Sequence, residues 1–275
     1  MSNFSVLMSV YTKENPEYLK KSIESILNQT IKPSQIVIIK DGPLKEELNQ
    51  VIDEYVYLPQ LVVHQLEQNV GLGVALNVGL NLCSNEIVAR MDSDDESLKN
   101  RFEMQLAYLE NDKDCRICGT NVIEEYIDYD ISNRIKKVPK KHEDILKYIK
   151  YRNPINHPTV MFYKSDVIEV GSYLKYPFFE DYFLWARMMV ANFKFHNIQT
   201  PLVKMRVSLY SYSRRGGYKY FIQSVKLNKY MLNNKLLNLF SFLISLFISL
   251  VTRVVFTSRI RRMIYIKALR KPHNA

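Results

Sequence analysis

Residues 201–275 contain no aspartate or glutamate, yet they hold 15 of the chain's 38 lysines and arginines. The other 200 residues carry 23 basic against 28 acidic side chains, so a mildly acidic body is joined to a strongly basic C-terminal stretch. Such a stretch calls for an anionic partner: nucleic acid, anionic lipid or a phosphate-rich substrate. Cysteine is scarce and odd in number. Cys83, Cys115 and Cys118 cannot form a disulfide framework, and they suggest a reducing compartment. Cys115-Arg116-Ile117-Cys118 has the spacing of a redox or zinc half-site, but no second pair completes a zinc site, so structural thiols are expected. Long apolar runs are missing too. Leu236 to Val251 is free of charge for 16 residues, short of the ~18–20 that span a bilayer. No secretory leader is expected, because Ser5 to Val10 reads as a first buried strand. No internal repeat or low-complexity segment is visible.

The 275 residues suffice for one good core and an appendage. The first half alternates strand and helix. Asn15-Pro16 starts a helix after the first strand, since Asn caps and Pro suits a first turn. Leu19, Ile23, Ile26 and Leu27 then share one face. Ile36 to Ile39 reads as a second strand, followed by a helix over about 44–56 and a strand at Leu61 to His64. A helix over about 72–82 leads to the strand Ile87 to Met91, and Asn100 with Glu103 predicts a capping box for the next helix. Short apolar strands between helices imply parallel βαβ units, whose ligands bind at the carboxyl ends of the strands. That rule selects Tyr11, Asp41 and Asp92, each directly after a strand. From about 120 to 215 the pattern is less regular, and beyond Gly216-Gly217 it becomes helical. Asn238, Ser241, Ser245, Ser249 and Thr252 form a narrow polar stripe, which fits best a helix lying in a membrane interface beside basic residues; a tilted span or re-entrant hairpin, and a helix buried against the protein or a partner, are the alternatives.

Asp92-Ser93-Asp94-Asp95 carries the chemistry most directly. In extended backbone, residues i and i+2 point the same way, so Asp92 and Asp94 present two carboxylates to one side. Hard oxygen ligands of this kind suit Mg²⁺ or Mn²⁺ bridging to phosphate oxygens. Gly71-Leu72-Gly73 lacks the third glycine of a dinucleotide fingerprint, because Leu76 stands in its place.

Ser9-Val10-Tyr11, Ile39-Lys40-Asp41-Gly42, Asn69-x-Gly71-Leu72 and Ala75-Leu76-Asn77-x-Gly79 precede that acidic run, and Arg101-Phe102-Glu103 and Glu180-Asp181-Tyr182-x-Leu184-Trp185 follow it. This ordered set, spread over roughly residues 4–220, resembles family 2 glycosyltransferases. The resemblance implies a GT-A fold: an α/β, Rossmann-like, mostly parallel central sheet flanked by helices, with inversion at the anomeric carbon. It implies a glycosyltransferase domain over 1–220, with a nucleotide-binding half at 1–110 and an acceptor-binding half at 111–220. Residues 221–275 would form a basic, amphipathic, membrane-associating helical tail.

By the same resemblance Tyr11 and Asp41 hold the base, and Asn69, Gly71 and Asn77 line the nucleotide site. Asp92 contacts the nucleotide, Asp94 ligates the metal and Asp181 is the general base. His157, within Asn153-Pro154-Ile155-Asn156-His157-Pro158, matches a motif histidine that touches the acceptor or its phosphate. Arg206, Arg214 and Arg215 are candidates to close over a diphosphate. Two positions depart from the family's pattern: Leu76 stands where many relatives have Arg, and Lys99 where Pro is usual.

The expected function is transfer of a hexose, galactose or glucose, from a UDP-sugar to a polyprenyl-diphosphate-linked acceptor in O-antigen, capsule or exopolysaccharide synthesis. The enzyme would work peripherally at the cytoplasmic face of the bacterial inner membrane, against anionic lipid. A nucleic-acid-binding protein using the basic tail, with Tyr218, Tyr220 and Tyr230 interleaved, is one alternative. A metal-dependent nucleotidyltransferase is another.

Overall fold

Strand β1 (Phe4–Val10) is buried on both faces, as a continuous apolar run requires. Phe4, Val6, Met8 and Val10 face one hydrophobic cluster and Leu7 the other. The computed structural model describes residues 3–128, 131–208, 216–257, 259–261, 263–264 and 270–272. In the first half, β1 pairs in parallel with β2 (Gln35–Lys40) and β4 (Ile87–Asp92), and β2 pairs in parallel with β3 (Leu61–Gln65). Helices α1 (Pro16–Leu27) and α2 (Glu46–Asp53) cover one face of this sheet, and α3 (Leu72–Leu82) covers the other. Helix α3 lies very close to the strands. A Cβ at Gly79 would sit 2.7 Å from Ile39 Cγ1 and would also strike Leu7, so glycine is required there.

Asn15 caps α1 as its sequence suggests, accepting from the Glu17 amide at 2.8 Å. The expected capping box at Asn100 does not form. Helix α4 (Arg101–Asn111) instead has its Phe102 amide donating to Gln29 Oε1, from just beyond α1, at 3.3 Å. Asn100 Nδ2 turns toward Met104 Sδ.

The second half continues the same sheet with a different pattern. Strand β5 (Glu96–Ser97) is followed, after α4, by the long β6 (Cys115–Tyr126) and by β7 (Arg134–Lys136). Helix α5 (His142–Tyr148), β8 (Met161–Tyr163), α6 (Lys164–Glu169), α7 (Glu180–Val190) and β9 (Lys194–Val207) come next. β8 is antiparallel to both β4 and β6, and β9 runs parallel to β6 and antiparallel to β5. The sheet is therefore mixed: parallel strand pairs fill the first half, and antiparallel pairs dominate the second. The three cysteines are buried and unpaired, and burial pushes the thiols of Cys83 and Cys115 up to about 12, as inert structural thiols require.

Helices α8 (Tyr218–Asn233) and α9 (Leu239–Leu250) follow, with a π-helical turn at Val251–Val255. Helix α8 spans residue 220 and contributes Tyr220, Leu227 and Met231 to the main core. The short β10 (Lys271–Pro272) returns to pair with β7. Among the described residues no helix is long and apolar enough to cross a membrane.

Candidate active site

The strand ends and loops named by the sequence border one cavity of about 730 Å³. Tyr11, Asp41, Asn69, Gly71, Asp92, Asp94, His157 and Asp181 all line it. Asn77 does not. It lies on α3 five residues beyond Leu72, and the helix carries it about 7 Å along its axis, away from the loop that faces the cavity. Leu76 beside it is fully buried in the core. Arg214 and Arg215 lie outside the described residues.

Asp41 organises one wall. Its Oδ1 accepts from the Val70 amide at 2.7 Å and its Oδ2 from the Gly71 amide at 3.1 Å, while Asn69 Nδ2 donates back to the Asp41 carbonyl at 3.2 Å. Gly71 has a φ of +93°, so a side chain there would strain the backbone that presents both amides. Tyr11 follows β1 at the cavity's edge with its ring half-exposed.

The acidic run occupies the end of β4. Arg90, two residues earlier on the same face and buried, donates from Nη2 to Asp92 Oδ1. Ser22 Oγ anchors the Asp92 carbonyl at 2.8 Å. Asp95 Oδ1 accepts from the Arg206 amide at 2.9 Å, and Arg206 Nη1 donates to the Asp94 carbonyl. Arg206 thus belongs to β9, braces the acidic run with its guanidinium over Tyr18, and lines the same cavity. The antiparallel pairing of β5 with β9 brings these distant segments together.

Carboxylate oxygens of Asp92, Asp94 and Asp95 lie within 4.8 Å of one another. Burial, followed by the charges of neighbouring carboxylates, holds Asp94 and Asp95 above the ordinary carboxylate range. Asp95 Oδ2 is buried without a hydrogen-bond partner. A divalent cation would satisfy that oxygen and neutralise the crowded acids, so the donor set fits a hard, oxygen-liganded ion. Asp95, which the sequence reading left without a role, belongs to this set.

Asp181, which lines the same cavity, lies in the first turn of α7. Its Oδ1 accepts from the Tyr182 amide at 2.7 Å and its Oδ2 from Asn153 Nδ2 at 2.6 Å. Burial raises its pKa, and those two hydrogen bonds oppose the rise. Glu180 is raised too, first by burial and then by the charge of Asp181. The two acids face different neighbours: Glu180 packs beside Gly73 in the first turn of α3, while Asp181 is bonded to Asn153. His157 is buried, with Nε2 3.0 Å from Tyr173 Oη, and burial with the nearby Arg90 charge keeps its ring neutral.

Glu14, Arg90, Asn153 and Glu180 also line the cavity and were given no role from sequence. Glu14 accepts from Ser93 Oγ at 2.7 Å and is raised chiefly by burial. Its place three residues after Tyr11 was the only local signal for it.

Residues 5–171 match the family described as Glycosyl transferase family 2. The chain belongs to that family. It is 38% identical, over 98% of this chain and 97% of the other, to the Escherichia coli protein named UDP-Gal:alpha-D-GlcNAc-diphosphoundecaprenol beta-1,3-galactosyltransferase. It is 40% identical to the amylovoran biosynthesis glycosyltransferase AmsE of Erwinia amylovora, over 82% of this chain and 84% of that one. Among solved structures, S. aureus TarS 1-349 in complex with UDP superposes with a TM-score of 0.67 at 18% identity, covering 97% of this chain and 75% of that one. The chain spans 46% of the longer TarS structure. The fold is that of the family 2 glycosyltransferases, and the chain is a glycosyltransferase. Its acidic run lies inside the matched residues, and Asp181 lies ten residues beyond them.

Proposed function

We propose that this enzyme transfers galactose, with glucose as the second choice, from a UDP-sugar to a sugar carried on a polyprenyl diphosphate, with inversion. The single observation behind this reading is one cavity lined by both the three-aspartate run and Asp181. The printed specificity of the Escherichia coli relative supports the choice of donor and acceptor.

In this reading Asp41, Asn69 and Gly71 shape the pocket for the base, and Tyr11 lies against it. Asp92, Asp94 and Asp95 would hold Mg²⁺ or Mn²⁺, which when bound supplies positive charge to the leaving diphosphate. Asp181 takes the proton from the acceptor hydroxyl as that oxygen bonds to the anomeric carbon and the bond from that carbon to UDP breaks. Asn153 and the Tyr182 amide keep Asp181 ionised and aimed. His157, neutral and hydrogen-bonded to Tyr173, holds the acceptor-side wall.

Membrane attachment would come from α9. Its serines Ser241, Ser245 and Ser249 face the protein, while Leu239, Phe240 and Phe247 are 64%, 71% and 67% exposed. The polar stripe anticipated from sequence is therefore turned inward, and the apolar face is left in water. Moving each of these side chains into a lipid interface stabilises the bound state by about 1–2 kcal/mol. The absence of acids after residue 200 adds attraction to anionic lipid. We infer a peripheral enzyme at the cytoplasmic face of the inner membrane.

The test is transfer of labelled galactose from UDP-galactose to a synthetic N-acetylglucosamine-diphosphate lipid, with the product's anomeric configuration read by NMR. A retained configuration, or no transfer from any UDP-hexose to any lipid diphosphate, would reject the reading.

A further inference from the structure

The cavity does not end at Asp181. It continues along the α8–α9 pair, where its lining changes from carboxylates to Ser245, Ser249, Thr252 and Arg253. The far side of the same helix is the exposed apolar face of Leu243, Phe247 and Leu250. A polar tract therefore leads from the base to the edge of an apolar surface. Arg253 is fixed within it: its guanidinium lies 4.8 Å from the centre of the Tyr220 ring, and its carbonyl accepts from the Gly217 amide at 2.9 Å. The Tyr220 ring in turn packs against that of Phe179 at a tilt, with centroids 4.6 Å apart, and Phe179 is the residue before the Glu180-Asp181 pair. Arg152 also lines the cavity, and its neighbour Tyr151 donates to Ser241 of α9 at 3.3 Å.

We propose that this tract, with Arg253 as principal cation and Arg152 as second, holds the diphosphate of the lipid-linked acceptor. The proposal rests on the acceptor class inferred above and locates it on this chain. Two features select a diphosphate with a hydrocarbon tail. The tract offers the guanidinium groups of Arg253 and Arg152, donors suited to phosphate oxygens. The tract also opens beside an apolar face that a polyprenyl chain can follow, so headgroup and tail are met by adjoining surfaces of one helix. The cavity thereby handles two diphosphates differently, the donor's on the acidic run and the acceptor's on arginine.

Calorimetric titration of farnesyl diphosphate into the full chain, saturated with UDP and Mg²⁺, tests the site without turnover. Arg253→Ala should weaken binding about tenfold and Arg253→Lys by less, as loss of a charged hydrogen bond predicts, with UDP affinity unchanged. If Arg253→Ala also lowers UDP affinity, Arg152→Ala is read instead, and it should weaken farnesyl diphosphate alone. Unaltered binding by both alanine variants would overturn the proposal. So would displacement of farnesyl diphosphate by further UDP, which would mean a single shared site, or equal competition from phosphatidylglycerol vesicles, which would mean a general lipid-headgroup site. Failure of the wild type to glycosylate a lipid diphosphate, with farnesyl diphosphate still bound at Arg253, would instead reject the acceptor class.

Discussion

Asn153 Nδ2 donates to Asp181 Oδ2 across 2.6 Å, joining the loop before the 157–159 turn to the first turn of α7. Asn153 cannot easily rotate, because its Oδ1 accepts from the Ile155 amide at 3.2 Å. Its amide nitrogen is therefore committed to the carboxylate, where it stabilises the ionised form. Burial raises the pKa of Asp181, and this hydrogen bond works against burial. Asn153→Ala should accordingly raise that pKa further and move the acid limb of the kcat profile to higher pH. At pH well above the limb, kcat should recover much of its wild-type value. A uniform loss at every pH, with the limb unmoved, would show that Asn153 only supports the loop.

The acidic run predicts a different signature. Asp94→Asn and Asp95→Asn each remove a charge from the three-carboxylate set, so transfer should fall at least about 100-fold in either variant. Chelation should abolish wild-type activity, and added Mn²⁺ or Mg²⁺ should restore it. A thermal shift on adding Mn²⁺ with UDP should be present in the wild type and lost in Asp94→Asn. Wild-type turnover that survives exhaustive chelation would remove the metal from the mechanism.

Much of this site was legible because its residues follow strands. Tyr11, Asp41 and Asp92 each end a buried apolar run, and such runs are visible as composition alone. What escaped depends on register between distant segments. Asp95 and Arg206 meet only because β5 pairs with β9, and Gln29 replaces Asn100 as the source of the α4 cap across 73 residues of chain. Asn77 misled because spacing in a motif does not show where a helix turns away from the cavity. The serine stripe of α9 was visible as a period, but its direction was not: a polar stripe toward solvent and one toward the protein give the same spacing.

That direction makes the tail testable. Ser224 Oγ and Ser249 Oγ lie 2.6 Å apart, so the inward stripe of α9 is hydrogen-bonded to α8. Phe240→Asp with Phe247→Asp changes only the outward face and should leave the melting temperature within a few degrees of wild type, as surface substitutions do. Sedimentation with anionic vesicles should nevertheless fall about tenfold or more, since each change removes apolar area and adds repulsion from the lipid. Undiminished vesicle binding by the double variant would place the attachment elsewhere.

A buried ion pair ties the residue before β10 to β6. Arg270 Nε donates to Glu124 Oε2 at 2.6 Å, with both side chains about 1% exposed, and Tyr126 Oη donates to the same oxygen at 2.8 Å. Burial works to raise Glu124, but the charge and hydrogen bond of Arg270, with help from Lys136 and Tyr126, outweigh it and leave its pKa below the ordinary value. A depressed carboxylate pKa stabilises the fold above the unfolded-state pKa, and that contribution is lost as pH falls through the folded value. Arg270→Ala leaves Glu124 buried without its main compensating charge, so it should cost about 3–5 kcal/mol in urea denaturation at neutral pH. The cost should shrink as pH falls and Glu124 becomes protonated. Arg270→Met with Glu124→Leu should recover most of the loss, because an apolar pair of similar volume needs no desolvated charge. If Arg270→Ala unfolds at the wild-type urea midpoint, the strand at Lys271–Pro272 contributes nothing to the stability of the sheet.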